Sequence, residues 1–168
     1  MLFSLILGGN KSGKSNIALD LLEKEQGKGV LLVTGKACDL DFNEQIRRHK
    51  SDRNLYIPVV ESGPDLGRAL GSLAHEADVI LIDSIDFWAF SIFDREEFQD
   101  NTKKFFKVLD LLGNKRMIFV SSEIGLGPIS ATSMVRRFVR TLGRINQQLA
   151  ARSNEVFLVV AGLPVKIK

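Results

Sequence analysis

The residues Gly8-Gly9-Asn10-Lys11-Ser12-Gly13-Lys14-Ser15 fit the pattern G-x-x-x-x-G-K-[ST], whose residue types have a direct chemical meaning. Glycines let a backbone curl until its N–H groups converge, and a helix starting there adds partial positive charge. Such a cradle holds a phosphate. Within it the Lys14 ammonium would reach the β- and γ-phosphates, and the Ser15 hydroxyl would ligate Mg²⁺. An apolar run, Leu2 to Leu7, precedes the loop and a helical pattern follows it. That context favours a nucleoside triphosphate ligand over a glycine-rich turn that binds nothing.

A second acidic ligand is expected at the end of a neighbouring strand. Val79-Ile80-Leu81-Ile82-Asp83 provides one: a buried strand delivering a carboxylate to the sheet edge where ligands bind in open α/β folds. Asp86 is a substitute for that role, and capping of the next helix is the plainer reading of Asp83. Of the two histidines, His75 ends a helical stretch and reads as a surface residue. His49 stands among Arg47, Arg48, Lys50 and Arg53. Nearby cations keep an imidazole neutral near pH 7, and a neutral imidazole is a nucleophile in a setting that attracts polyphosphate. A solvated basic helix face accounts for the same residues.

The elements that must position these groups alternate in type. Strands are expected at Leu2 to Leu7, Gly29 to Thr34, Ile57 to Glu61, Asp78 to Asp83, Arg116 to Ser121 and Glu155 to Ala161. Runs such as Val79 to Ile82 and Val156 to Val160 lack in/out alternation, as strands covered on both faces do. Helices are expected at Ser15 to Gln26, Asp41 to Lys50, Leu66 to Ala74, Glu96 to Leu112 and Ser133 to Arg152. Asp41-x-x-Glu44 opens the second like a capping box. In the last, Met134, Phe138, Leu142, Ile145 and Leu149 recur at helical spacing and predict one core-facing side. The order is an α/β alternation that right-handed crossovers wind into an open sheet.

Composition narrows the classes. The chain has 168 residues, 45% hydrophobic and 26% charged, so it is expected to form one ordinary globular domain over 1–168. The single cysteine, Cys38, can form no internal disulfide, which fits a reducing cytoplasm. Every apolar run is far shorter than the ~20 residues of a membrane helix. The first seven residues lack the basic flank of a signal peptide. A net charge of +3 argues only weakly for nucleic acid. Arg136, Arg137, Arg140 and Arg144 cluster at helical spacing like one solvated face, and one Trp and one Tyr make no stacking platform. No nucleic-acid partner and no membrane span are expected.

With these residues in view, the chain resembles a known family, the bifunctional adenosylcobinamide kinase/adenosylcobinamide-phosphate guanylyltransferases of cobalamin biosynthesis. The resemblance runs from about Leu2 to Lys168. It rests on Gly8-Gly9-x-x-Ser12-Gly13-Lys14-Ser15, Ile46-x-x-His49-Lys50 with Arg53, Glu61, Asp83 with Trp88, and Glu123-x-Gly125-x-Gly127. Gly143-Arg144-x-Asn146-Gln147-x-Leu149-Ala150 and Leu158 to Pro164 complete it. The phosphate loop is shared by many families, but its combination with the histidine segment and the C-terminal third is specific to this one.

The resemblance implies a P-loop NTPase-like (RecA-like) fold: an open, mostly parallel sheet with helices on both faces. It implies that the histidine matching His49 attacks the α-phosphorus of GTP, forming a guanylyl-histidine and releasing pyrophosphate. GMP then passes to adenosylcobinamide phosphate, giving adenosylcobinamide-GDP. The same protein phosphorylates the cobinamide hydroxyl with a nucleoside triphosphate, GTP or ATP. It assigns nucleotide contacts to Gly8 through Ser15, with Gly9, Asn10 and Lys11 among them, and to Thr34, Gly35 and Lys36. Lys50, Ser51, Asp52, Arg53, Glu61 and Asp83 complete the set, with Mg²⁺ on Ser15 and Asp83. A corrinoid substrate and a small homo-oligomer also follow from it.

The chain departs from the family pattern at several places: Ser122 where Asn is common, Pro128-Ile129-Ser130 after Gly127, and Val139-Arg140 after Phe138. Asp86 stands where Thr is usual and Ser91 where Asn is usual. None of these touches the phosphate loop or His49. Two other readings compete: a plain P-loop small-molecule kinase in which Asp83 or Glu123 orients a hydroxyl, and a non-catalytic GTP-binding relative.

Overall fold

A computed structural model describes residues 2–34 and 57–168. In chain order the elements are β1 (Leu2–Gly8), α1 (Lys14–Lys24), β2 (Gly29–Val33), β3 (Val59–Glu61), α2 (Leu66–Leu73), β4 (Val79–Asp83) and α3 (Ile85–Ile92). Then come α4 (Phe98–Leu111), β5 (Arg116–Ser122), a short 3-10 turn at Ile124–Leu126, α5 (Ser133–Arg152), β6 (Glu155–Val160) and β7 (Leu163–Lys166). The strands form one sheet in the order β3-β2-β4-β5-β1-β6-β7. All neighbouring pairs are parallel except the antiparallel β6–β7 pair.

Successive residues of β1 enter different layers, which shows why the strand needs an unbroken apolar run. Phe3, Leu5 and Leu7 pack with Leu32, Ile80, Ile82 and Phe119 beneath α2, α3, α4 and α5. Ile6 joins Leu31, Leu81 and Val120 against Ala18, Leu19 and Leu22 of α1 on the opposite face. Trp88 of α3 is fully buried. Its Nε1–H donates to the Pro64 carbonyl at 2.8 Å and its ring centroid lies 4.9 Å from that of Phe105. One side chain thereby ties α3 to α4 and to the approach to α2.

The six expected strands and four of the five expected helices are present, with ends shifted by no more than two residues. The fifth expected helix, Asp41 to Lys50, lies outside the described residues. Three elements were not anticipated: α3, the 3-10 turn and β7. Met134 corrects an expectation: it is 48% exposed, so the buried stripe of α5 begins only beyond it, at the half-buried Phe138, then Leu142, Ile145 and Leu149. His75 is exposed, as expected.

Candidate nucleotide site

The loop that leaves β1 is held from three directions. Within it, Ser12 N–H donates to the Gly9 carbonyl at 3.3 Å, and Gly13 has φ +96°, a backbone conformation that side chains with a Cβ rarely adopt. Beside it, the Glu123 N–H donates to the Gly8 carbonyl at 3.0 Å. Above it sits the Ala161-Gly162 turn between β6 and β7, whose positive φ values of 50° and 82° are those of a two-residue hairpin. Its Gly162 N–H donates to the Ser12 carbonyl at 2.8 Å. A Cβ at Gly8 would stand 2.6 Å from both Ser12 Oγ and the Val159 carbonyl, so the closeness of β6 itself requires glycine there.

Gly13 is the N-cap of α1 and provides no side-chain cap. The first-turn N–H groups of that helix therefore meet no side-chain oxygen from the cap position, as an anion-binding helix start requires. The Lys14 ammonium donates to the Gly9 carbonyl at 2.6 Å. Burial pushes its pKa down, opposed by the carboxylates of Asp86 and Asp83.

Asp83 ends β4 and faces Val33 of β2 and Val120 of β5 in the sheet register. β4 is not the immediate neighbour of β1, because β5 lies between them. The expectation of a neighbouring strand is thus corrected by one place, yet Asp83 still lies close enough to Ser15 for that hydroxyl to act on its carboxylate. Burial raises its pKa to about 6, with the Asp86 charge adding to the effect and the Ser15 hydroxyl and Lys14 opposing it. Asp83 Oδ2 and Asp86 Oδ1 are buried with no hydrogen-bond partner among the described residues. Thr34 spends its hydroxyl on the backbone after Asp83: it bonds the Ser84 carbonyl and accepts from the Ser84 N–H at 3.0 Å.

The structure therefore brings together Gly8 to Ser15, Thr34 and Asp83. Glu61 shares the same sheet edge, exposed at the end of β3. Four strand spacings separate β3 from β1, or about 19 Å at ~4.8 Å each. Gly35, Lys36, His49, Lys50, Ser51, Asp52 and Arg53 lie outside the described residues. A set of contacts that the motif pattern did not point to converges on the same edge. Ser122 Oγ donates to Asp86 Oδ2 at 2.8 Å, and Asn146 Nδ2 donates to the Ser122 carbonyl at 3.0 Å. Ser121 Oγ donates to Asn146 Oδ1 at 2.7 Å. The signals available were the polar residues Ser121, Ser122 and Asn146 at otherwise apolar core positions.

Ser15 and Asp83 are hard oxygen donors of the kind Mg²⁺ uses when nucleotide phosphates complete its shell. No group of three or more His, Cys, Asp or Glu side chains placed to hold a metal exists among the described residues. A cation here would depend on those phosphates.

A glycine cradle at the C-terminal edge of a parallel sheet, facing a buried strand-end carboxylate, defines a P-loop nucleotide-binding protein. Solved structures agree on the fold. A KaiC-like protein from Pyrococcus horikoshii superposes with a TM-score of 0.58 at 16% identity, over 94% of this chain and 70% of that one. The flagellar accessory protein FlaH from Methanocaldococcus jannaschii gives 0.56 at 15% identity, over 99% and 77%. The particular family is set by sequence. The chain belongs to the cobinamide kinase / cobinamide phosphate guanyltransferase family, whose model matches residues 4–167. It is 32% identical over 167 residues to a bifunctional adenosylcobalamin biosynthesis protein of Pseudomonas aeruginosa, covering 98% of this chain and 96% of that one. A protein of the same description from Escherichia coli is 27% identical over 179 residues, covering 98% of each.

Proposed function

We propose that this chain is a nucleotidyltransferase and kinase acting on cobinamide in adenosylcobalamin biosynthesis, as its family membership indicates. The observation that carries the reading is the Gly8–Ser15 cradle, fixed by Glu123 and Gly162 at the sheet edge where Asp83 ends β4, in a chain matched to that family almost end to end. GTP is the nucleotide of the transfer step, and GTP or ATP that of the kinase step. The catalytic pair is His49 and Lys14.

In the transfer step the His49 imidazole attacks the α-phosphorus of GTP; a P–N bond forms and the bond to pyrophosphate breaks. A phosphate oxygen of adenosylcobinamide phosphate then attacks the same phosphorus, breaking the P–N bond and freeing the imidazole. One difficult displacement becomes two easier ones. Gly9 to Gly13 offer backbone N–H groups to the phosphates, Lys14 offsets charge at the β- and γ-positions, and Lys50 and Arg53 draw in the departing pyrophosphate. Ser15 and Asp83 would hold Mg²⁺, which when bound supplies charge neutralisation at the phosphate oxygens. Gly35, Lys36, Ser51 and Asp52 add nucleotide contacts, and Glu61 accepts hydrogen bonds from a guanine edge. Thr34 is assigned to the same set, and its bonds to Ser84 make its part that of holding the backbone next to Asp83.

The reading treats 1–168 as one domain, assembled as a homo-oligomer in the cytoplasm. Among the described residues no helix is long and apolar enough to cross a membrane. Intact-protein mass spectrometry after incubation with GTP and Mg²⁺ tests the proposal. One added GMP is expected, labile in acid and absent from His49→Ala. An unmodified wild-type mass alongside γ-phosphate transfer would leave a plain kinase instead.

A further inference from the structure

Asp86 lies in the first turn of α3, three residues after Asp83, and both carboxylates reach the sheet edge beside Lys14. Its Oδ2 is held by Ser122 Oγ at 2.8 Å, and Ser122 is itself anchored through its carbonyl to the buried Asn146. Its Oδ1, like Asp83 Oδ2, is buried and has no hydrogen-bond partner among the described residues. A favourable helix dipole accounts for a carboxylate in a first turn. It does not account for one oxygen being pinned while the other is buried without a donor, an arrangement that costs free energy unless a cation completes it. The Lys14 ammonium interacts with both carboxylates here.

We infer that Asp86, oriented by Ser122 and Asn146, supplies a second carboxylate to the divalent cation that accompanies the triphosphate on Ser15 and Asp83. The inference rests on the nucleotide reading above and deepens it. Mg²⁺ and Mn²⁺ sites of this kind use one or two carboxylates together with substrate phosphates and water. An added negative charge at the cradle also repels a metal-free triphosphate. The chain therefore couples nucleotide binding to the cation more tightly than a site with Asp83 alone.

The experiment measures Mn²⁺ binding by electron paramagnetic resonance in the presence of the α,β-methylene analogue of GTP, which cannot be guanylyl donor. Affinity for the analogue in EDTA is measured in parallel, on wild type, Asp86→Asn and Ser122→Ala. Asp86→Asn should weaken Mn²⁺ half-saturation about tenfold or more, the loss typical of removing a group that supports a metal. It should leave analogue binding in EDTA equal or tighter. Ser122→Ala, which keeps the charge and frees its orientation, should give a smaller loss in the same direction and guards against misfolding of the first variant. Unchanged half-saturation in both variants, at unchanged melting temperature, overturns the inference while leaving nucleotide binding intact; it would mark Asp86 as a group for the acceptor side. A wild type that binds no analogue with Mn²⁺ overturns the nucleotide reading and this inference together.

Discussion

Asp83 carries a conflict that can be measured without any ligand. Its pKa is raised from 3.8 to about 6, first by burial, so the native state prefers the neutral acid. Between about pH 4 and pH 6 the native state binds more protons than the unfolded chain, and stability falls as pH rises through that window. Above it the ionised carboxylate costs up to about 3 kcal/mol, at 1.36 kcal/mol for each unit of displacement. We predict that Asp83→Asn, free of nucleotide and metal, melts several degrees higher than wild type at pH 7.5. The difference should close below about pH 4, and added Mg²⁺ and GTP should stabilise wild type but not the variant. A variant that melts with wild type at every pH would sink the argument. At Gly8 the limit is steric. Ser12 Oγ could swing away from a methyl at Gly8, but the Val159 carbonyl 2.6 Å away is backbone, so Gly8→Ala should lose GTP binding in calorimetry and cost about 1–3 kcal/mol in urea unfolding. At this scale the sequence was most readable: the cradle and Asp83 announce themselves by residue type and local context. The Asp86, Ser122 and Asn146 contacts do not, because they depend on the register that sets β5 beside β4 and on the turn of α5 that brings Asn146 to Ser121 and Ser122.

Among the elements, α3 and β7 escaped a sequence reading for opposite reasons. Ile85 to Ile92 is apolar nearly all round and follows β4 after one residue, so no 3.6-residue stripe marks where strand gives way to helix. Leu163 to Lys166 is short, exposed at every position and contains Pro164, which suits only an edge strand. Helix α3 nevertheless has an anchor that can be tested. Trp88→Phe should cost about 1–3 kcal/mol, since the Pro64 carbonyl loses its buried donor, and near-ultraviolet circular dichroism should lose the signal of the single Trp. For α5 the anchor is polar. Asn146→Leu leaves the buried Ser121 hydroxyl without its acceptor, and chemical denaturation should show about 1–3 kcal/mol lost. An Asn146→Leu protein as stable as wild type would show that water replaces the amide.

On the scale of the molecule, β1 sits between β5 and β6, so Leu2 faces Arg116 and Ser4 faces Glu155. The α/β alternation was legible because each strand is a dense apolar run separated by helical stripes, but strand order depends on crossovers that no local pattern encodes. A centre built from such distant segments folds slowly, because chain closure is paid before contacts form. Amide hydrogen exchange should find β1, β4 and β5 protected longest and the edge strands β3 and β7 shortest. Uniform protection across all seven strands would contradict this.

The bond from Gly162 to Ser12 has a consequence during synthesis. On a ribosome the glycine loop emerges early, yet the turn that clasps it is among the later parts translated. A stalled nascent chain halted before β6 thus displays the motif as letters without its shape, and immobilised GTP should fail to capture it. Capture should begin only once the hairpin has been translated, so nucleotide would select the closed loop rather than guide its formation.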